Sequence, residues 1–189
     1  MARTASTIVA LGTATPDFAL PDVSTGRTVH LADFAGHKAL LVMFICRHCP
    51  FVVHVQDELA RIGRDYKGRD IAIVAISSNE AATHPDDAPD PLAAQARQVG
   101  FSFPYLYDED QHTARAFGAV CTPDLFLYAD GELVYRGQLD DSRPGNGRPV
   151  TGRDLRDAIE AVLEGKAVSD SQIPSIGCNI KWKALVGGV

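Results

Sequence analysis

Apolar residues fall along this chain in two rhythms, short unbroken runs and stripes spaced three and four apart, and the two alternate. Residues 39–45 and 71–77 are apolar on both faces, as strands buried in the middle of a sheet must be. Between them Val52, Val55, Leu59 and Ile62 repeat at helical spacing until Gly63 or Gly68. Residues 92–99 predict a second helix closed by Gly100, and 105–107 a short strand. Ala114 and Phe117 predict a third helix that stops at Gly118, capped by Asp108 and Gln111. Residues 125–128 and 133–139 flank Ala129-Asp130-Gly131-Glu132, whose Asp-Gly pair predicts an antiparallel hairpin. Thr151 and Asp154 read as the cap of a last helix with Leu155, Ala158, Ile159 and Val162 on one face. Ahead of the first buried run, residues 17–31 read as two short strands around Ser24-Thr25-Gly26. The whole predicts an α/β layer fold, β-α-β followed by β-β-α.

The interruptions are uneven. Residues 79–91 hold three prolines and four acidic residues, a connection long enough to predict a function of its own. Residues 140–149 read as a polar surface loop. Neither an internal repeat nor a linker divides the chain, so 1–189 is read as one domain, with an N-terminal extension over 1–37 and a C-terminal tail over 166–189. At 189 residues and 46% hydrophobic composition, the chain can bury a core without covalent staples. Four cysteines are then too few and too unevenly spaced for a secreted disulfide framework. With no signal-peptide pattern and no apolar stretch long enough to span a bilayer, a cytoplasmic location is expected. A net charge of -6 without a basic cluster argues against nucleic acid or an anionic membrane as partner.

Chemistry enters where the run at 39–45 stops on Cys46-Arg47-His48-Cys49-Pro50, a dithiol at a strand-to-helix corner. A helix N-terminus presents unpaired N–H groups and the positive end of its dipole, which favour a thiolate. Cys46 is therefore expected to be the more exposed and more acidic thiol of the pair. Arg47 and His48 place two cationic side chains beside it, and Cys49 is near enough to close a disulfide within the first turn. A Cys-x-x-Cys pair is also half of many zinc sites, with Cys121, Cys178, His48 or His54 as completing ligands. Those partners are isolated residues and not a second paired knuckle, so the spacing favours redox chemistry, with no metal or other cofactor. Cys121 and Cys178 are candidate additional redox thiols, and each also reads as a packing residue. His54 reads as a solvated helix residue. Trp182 is expected to be buried and to clamp the tail onto the body, with its flanking lysines in water.

A strand ending in Cys-x-x-Cys, a later Thr122-Pro123 before a hairpin and a final helix resemble a thioredoxin fold. The opening Pro16-Asp17-Phe18-Ala19-Leu20-Pro21-Asp22, with Val29-His30-Leu31 and Asp33-Phe34-Ala35-Gly36, resembles the alkyl hydroperoxide reductase and thiol-specific antioxidant (AhpC/TSA) group, the redoxins. Phe44-Ile45-Cys46-Arg47-His48-Cys49-Pro50 and the tail Ser175-Ile176-Gly177-Cys178-Asn179-Ile180-Lys181-Trp182-Lys183 look like one branch of thioredoxin-family proteins. The resemblance implies a central mixed sheet flanked by helices, an N-terminal β-hairpin extension and a C-terminal tail. It implies Cys46 as nucleophile and Cys49 as resolving thiol, supported by Arg47, His48 and Pro50. It also implies that Pro123 is a cis-proline, and that its loop, with Thr122, faces the dithiol and holds substrate backbone.

The departures are informative. A peroxiredoxin's peroxidatic cysteine is preceded by a Pro and, three residues before it, by a Thr or Ser; here those residue types are missing from 40–49, and Met43 stands three before Cys46. Thioredoxin's buried central-strand Asp is matched by Leu40, so proton handling falls to His48, another neighbour or water. Cationic residues between the cysteines stabilise the reduced form, which raises the expected potential above the roughly -270 mV of thioredoxin. The leading expectation is a thiol–disulfide oxidoreductase acting on a protein or small-molecule disulfide and reset by a thiol electron donor. A thiol-dependent peroxidase and a non-catalytic redox-sensing domain remain as alternatives.

Overall fold

A computed structural model of the protein describes residues 3–7 and 9–184. In chain order the elements are β1 (Arg3–Ala5), β2 (Ala19–Pro21), β3 (Thr28–His30), β4 (Ala39–Phe44), α1 (Pro50–Asp65), β5 (Ile71–Ser77), α2 (Pro89–Val99), β6 (Tyr105–Tyr107), α3 (His112–Phe117), β7 (Cys121–Thr122), β8 (Asp124–Ala129), β9 (Glu132–Gly137), α4 (Arg153–Leu163) and β10 (Ile176–Asn179). Strand β4 is the middle of a five-stranded mixed sheet ordered β6-β5-β4-β8-β9, parallel to β5 and antiparallel to β8. Its unbroken apolar run serves two cores at once. Leu41 and Met43 pack with Leu59, Ile62, Leu92, Leu155 and Ile159 of the helices on one face. Leu40, Val42 and Phe44 pack with Phe18, Phe117 and Phe126 on the other. A strand covered on both sides has no polar face to show, which is why its sequence does not alternate.

Two smaller sheets flank this one. Strands β2 and β3 form the expected hairpin. The tail does not stay a loose extension: β10 pairs antiparallel with β1 on one side and β7 on the other. Beyond β10 the tail is held by its backbone, since Lys181 N–H donates to Asn79 Oδ1 and Lys183 N–H to Gln111 Oε1, both at 2.8 Å. Trp182 is not buried but 36% exposed, lying under the Arg115 guanidinium at 4.4 Å. Cation–π contact, not burial, secures it.

Helix starts depart in part from the sequence reading: Asp108 caps α3 as expected but Gln111 does not, and the start of α4 is held by a carboxylate from outside it. Gln111 occupies the N-cap of α3 with φ 63° and no side-chain cap bond. Its amide is spent on the Ser78 and Lys181 carbonyls, while Asp108 accepts the Thr113 and Ala114 N–H groups. The N-cap of α4 is Gly152, at φ 66°, not Thr151. Asp140 accepts the Thr151 and Gly152 N–H groups, and an added Cβ at Gly152 would lie 2.8 Å from Glu58 Oε1.

Phe117 centres the second core, with its ring edge-on to Phe44 at 5.4 Å and to Phe126 at 5.7 Å. Phe117→Ala is expected to cost about 3–5 kcal/mol in urea unfolding. Val53→Ala, at a position 49% exposed on α1, should stay within ~0.5 kcal/mol. Equal losses would contradict this packing.

Candidate active site

The dithiol sits where the central strand gives way to a helix. Ile45 extends the ladder by donating its N–H to Ile76 O at 3.0 Å, and the chain then turns through Cys46, Arg47 and His48. Pro50 opens α1 at a position where a missing N–H costs nothing, because that N–H has no helical partner. The helix therefore begins one residue after the second cysteine, and Cys49 is its N-cap. This moves the favourable helix terminus from Cys46 to Cys49. Neither cysteine is exposed: both are 0% accessible, because neighbouring segments close over the corner.

One of those segments is the loop at Thr122-Pro123, whose peptide bond is cis. Thr122 touches both sulfurs. Its Oγ1 lies 3.3 Å from Cys46 Sγ, and its carbonyl accepts from Cys49 Sγ at 3.1 Å. Another is the 79–91 connection, which supplies a residue that the motif reading missed. Asp87, 0% exposed, accepts the backbone N–H groups of Arg47 at 2.8 Å and His48 at 3.2 Å and the Asn79 amide at 2.8 Å, and its Oδ2 is hydrogen-bonded to His48 Nδ1. The only sequence signal for it was the length of that connection.

These contacts set charge. Burial alone would raise the Asp87 pKa, but the hydrogen bonds from His48 and Asn79 hold it below the ordinary carboxylate range. The same Asp87 bond raises His48, favouring its imidazolium form beside the dithiol. His84 stacks on the His48 ring at 5.0 Å, and partial burial and that neighbour lower its pKa from the ordinary imidazole value. Arg47 contributes less, with its side chain 37% exposed and paired to the exposed Asp86 at 3.4 Å.

The acidity order reverses the expectation. Burial, then the Cys49 sulfur and Asp87, push Cys46 well above the ordinary thiol range. Hydrogen bonds from Cys46, Cys178, Thr122 and the Val52 N–H pull Cys49 down to about 5 despite burial. The Thr122 carbonyl opposes a thiolate at Cys49, but the donors outweigh it. These opposite shifts favour placing the charge on Cys49 and the proton on Cys46 when the reduced pair holds one proton. Each charge distribution has its support in Thr122, since a Cys46 thiolate would receive the hydroxyl proton while the carbonyl accepts from Cys49–H.

The two further cysteines separate. Cys178 lies at the dithiol: β10 sets it opposite Thr122, and burial, then the neighbouring Cys49 sulfur, raise its thiol to about 12. Cys121 donates to Pro123 O at 3.7 Å, is fully buried and is raised by burial and by Asp124, so it is the less available thiol. His54 Nε2 is hydrogen-bonded to Ser142 Oγ at 2.7 Å. Among the described residues, Cys46, His48 and Asp87 bring ligand-type atoms within 4.8 Å of one another. They do not make a metal site as they stand, since both Asp87 oxygens are already committed to N–H donors.

Residues 11–136 match the AhpC/TSA family, which is well over half the chain, and the protein belongs to that family. The crystal structure of a hypothetical protein from Sinorhizobium meliloti is 51% identical, with a TM-score of 0.94 over 96% of this chain and 99% of that one. The solution structure of a protein named as a thioredoxin, from Neisseria meningitidis, is 26% identical with a TM-score of 0.61 over 84% of this chain and 93% of that one. The fold is a thioredoxin fold. The thiol-disulfide oxidoreductase ResA of Geobacillus thermodenitrificans is 28% identical over 126 residues, 66% of this chain, and the match spans 66% of the length of ResA.

The shared charge predicts a titration. Cys49 ionises at about 5 in the folded protein, below the ordinary thiol value of about 8.5. The stability this adds is full above that ordinary value and is lost as pH falls through about 5. Thiolate ultraviolet absorbance of the reduced protein should fall in that window, and Cys49→Ala should abolish the step. A step that survives Cys49→Ala and disappears in Cys46→Ala would reverse the assignment.

Proposed function

We propose that this protein is a thiol–disulfide oxidoreductase that cycles Cys46 and Cys49 between dithiol and disulfide. The observation that carries the reading is that Thr122 touches both sulfurs with groups of opposite character, a hydroxyl at Cys46 and a carbonyl at Cys49. The shared proton can then move without either sulfur losing its support. In the reaction, the Cys46 proton passes to Cys49, and the Cys46 thiolate attacks one sulfur of a protein or small-molecule disulfide. The departing thiolate takes up the proton from Cys49. The Cys49 thiolate then attacks Cys46 Sγ, closing the Cys46–Cys49 disulfide and releasing the second substrate thiol, protonated from His48 or water. A thiol electron donor resets the pair. His48, whose charged form Asp87 favours, stabilises the reduced form and so makes the disulfide more oxidising. The names of the relatives, a thioredoxin and a thiol-disulfide oxidoreductase, support the same class.

Turnover of a protein disulfide such as insulin, with dithiothreitol as donor, tests the proposal. The wild type should turn over, and Cys46→Ser and Cys49→Ser should each lose turnover; activity retained in both variants would refute it. Asp87→Asn should lower the His48 titration midpoint, read by NMR, toward the ordinary value of about 6.5 and slow turnover together with it. An unchanged midpoint would remove Asp87 as the positioning residue. Because Met43 and its neighbours offer no hydroxyl before Cys46, glutathione disulfide should oxidise the dithiol faster than hydrogen peroxide does. The opposite order would favour a peroxidase.

A further inference from the structure

We propose that β10 acts as an internal substrate strand, in which Cys178 exchanges with the Cys46–Cys49 disulfide to form a Cys49–Cys178 disulfide and release Cys46 as a thiol. The inference rests on the oxidoreductase reading of the dithiol and deepens it by naming a third redox position and the segment that controls access.

The placement follows from strand geometry. Residues directly opposite in an antiparallel pair direct their side chains to the same face. Cys178 is opposite Thr122, and the Thr122 hydroxyl lies against Cys46, so the ladder delivers the Cys178 side chain to the dithiol. The next pair, Asn179 opposite Cys121, faces the other way, which is why Cys121 is not delivered there. The Thr122 carbonyl, on the same residue, accepts from Cys49 Sγ at 3.1 Å, so the residue opposite Cys178 touches both sulfurs of the dithiol.

The strand also occupies ground that an incoming peptide would need. An extended segment binds most readily by adding to an unpaired strand edge, and the edge beside these sulfurs is β7. That edge is taken by β10, and Ile180 N–H continues the pairing by donating to Val120 O at 3.0 Å. The fit requires a glycine: a Cβ on Gly177 would lie 1.9 Å from the Thr122 carbonyl oxygen and 2.5 Å from its carbon. A cysteine-bearing strand is therefore seated where a cysteine-bearing substrate strand would sit, and the dithiol beneath it is fully buried.

The step balances without an added oxidant. The Cys178 thiolate attacks Cys49 Sγ in the Cys46–Cys49 disulfide, the Cys49–Cys178 bond forms as the Cys46–Cys49 bond breaks, and the electron pair leaves on Cys46. Cys46 takes up the proton that Cys178 gave up, through His48 or water. The two oxidising equivalents entered with the substrate disulfide, and the exchange only moves them onto the tail.

The test uses Cys46→Ser, in which glutathione disulfide can form a mixed disulfide at Cys49 that only another cysteine can resolve. After acid quenching, alkylation and mass spectrometry, the expected product is a Cys49–Cys178 linked peptide without bound glutathione. It should be absent from the Cys46→Ser/Cys178→Ala double variant. Glutathione retained on Cys49 with Cys178 alkylated would overturn the proposal and leave the oxidoreductase reading intact. No disulfide at Cys46 or Cys49 in the wild type under the same treatment would remove both. Gly177→Val, checked for folding by circular dichroism, should expel β10 and speed alkylation of Cys49 in the reduced protein by about tenfold or more. An unchanged rate would show that β10 does not control access and would overturn that part of the proposal.

Discussion

A single buried carboxylate ties the functional corner together. Asp87 has no access to water, and a buried charge is tolerated only when it is paired and hydrogen-bonded. Its donors come from the dithiol turn, through the Arg47 and His48 N–H groups and the His48 ring, and from Asn79. Asn79 in turn accepts the Lys181 N–H, and the Lys181 carbonyl accepts from Glu80 N–H and Gln111 Nε2. The acidic connection, the turn between the cysteines and the tail are therefore one hydrogen-bonded unit. Loss of Asp87 would free all three, which makes its role in charge and its role in architecture inseparable by simple deletion; the conservative change to Asn is the informative one.

This unit also explains how the chain manages without the central-strand carboxylate of thioredoxin. Leu40 belongs to a strand whose two faces are both apolar, and a charge there would be stranded in a core. Carrying the carboxylate on a flanking connection instead lets backbone N–H groups of the turn satisfy it, and places the proton-bearing imidazole of His48 between that carboxylate and the sulfurs. Asp87 thereby favours a positive His48 beside the dithiol, and a positive neighbour favours the reduced pair.

Much of the fold was legible because burial imposes a period. The runs at 39–45 and 71–77 could be nothing but central strands, and Val52, Val55, Leu59 and Ile62 could cover a sheet only as a helix. What was not legible depended on residues that meet across long separations. Asp108 caps α3 as read, but Gln111, named beside it, is drawn away to the tail. Asp140 performs the corresponding task for α4. Asp87 was one acid among four in a connection whose length alone drew notice. The helix terminus was misplaced for a local reason: Pro50 opens α1 at its own position, so the N-cap is Cys49 and not Cys46.

Cys178 shows the same limit in sharper form. From the sequence it stands in a glycine-containing tail after the last helix, equally readable as anchor or reagent. Its meaning comes from a register, Cys178 opposite Thr122, between segments more than fifty residues apart. Such a register is selected by the whole ladder: Gly177 admits the close approach to the Thr122 carbonyl, and Asn79 and Gln111 hold the backbone just beyond it. With these fixed, a one-residue slip would carry the sulfur to the opposite face and set Gly177 against a different neighbour. The tail is thus positioned with the same economy as the core, and what it positions at the dithiol is a third thiol.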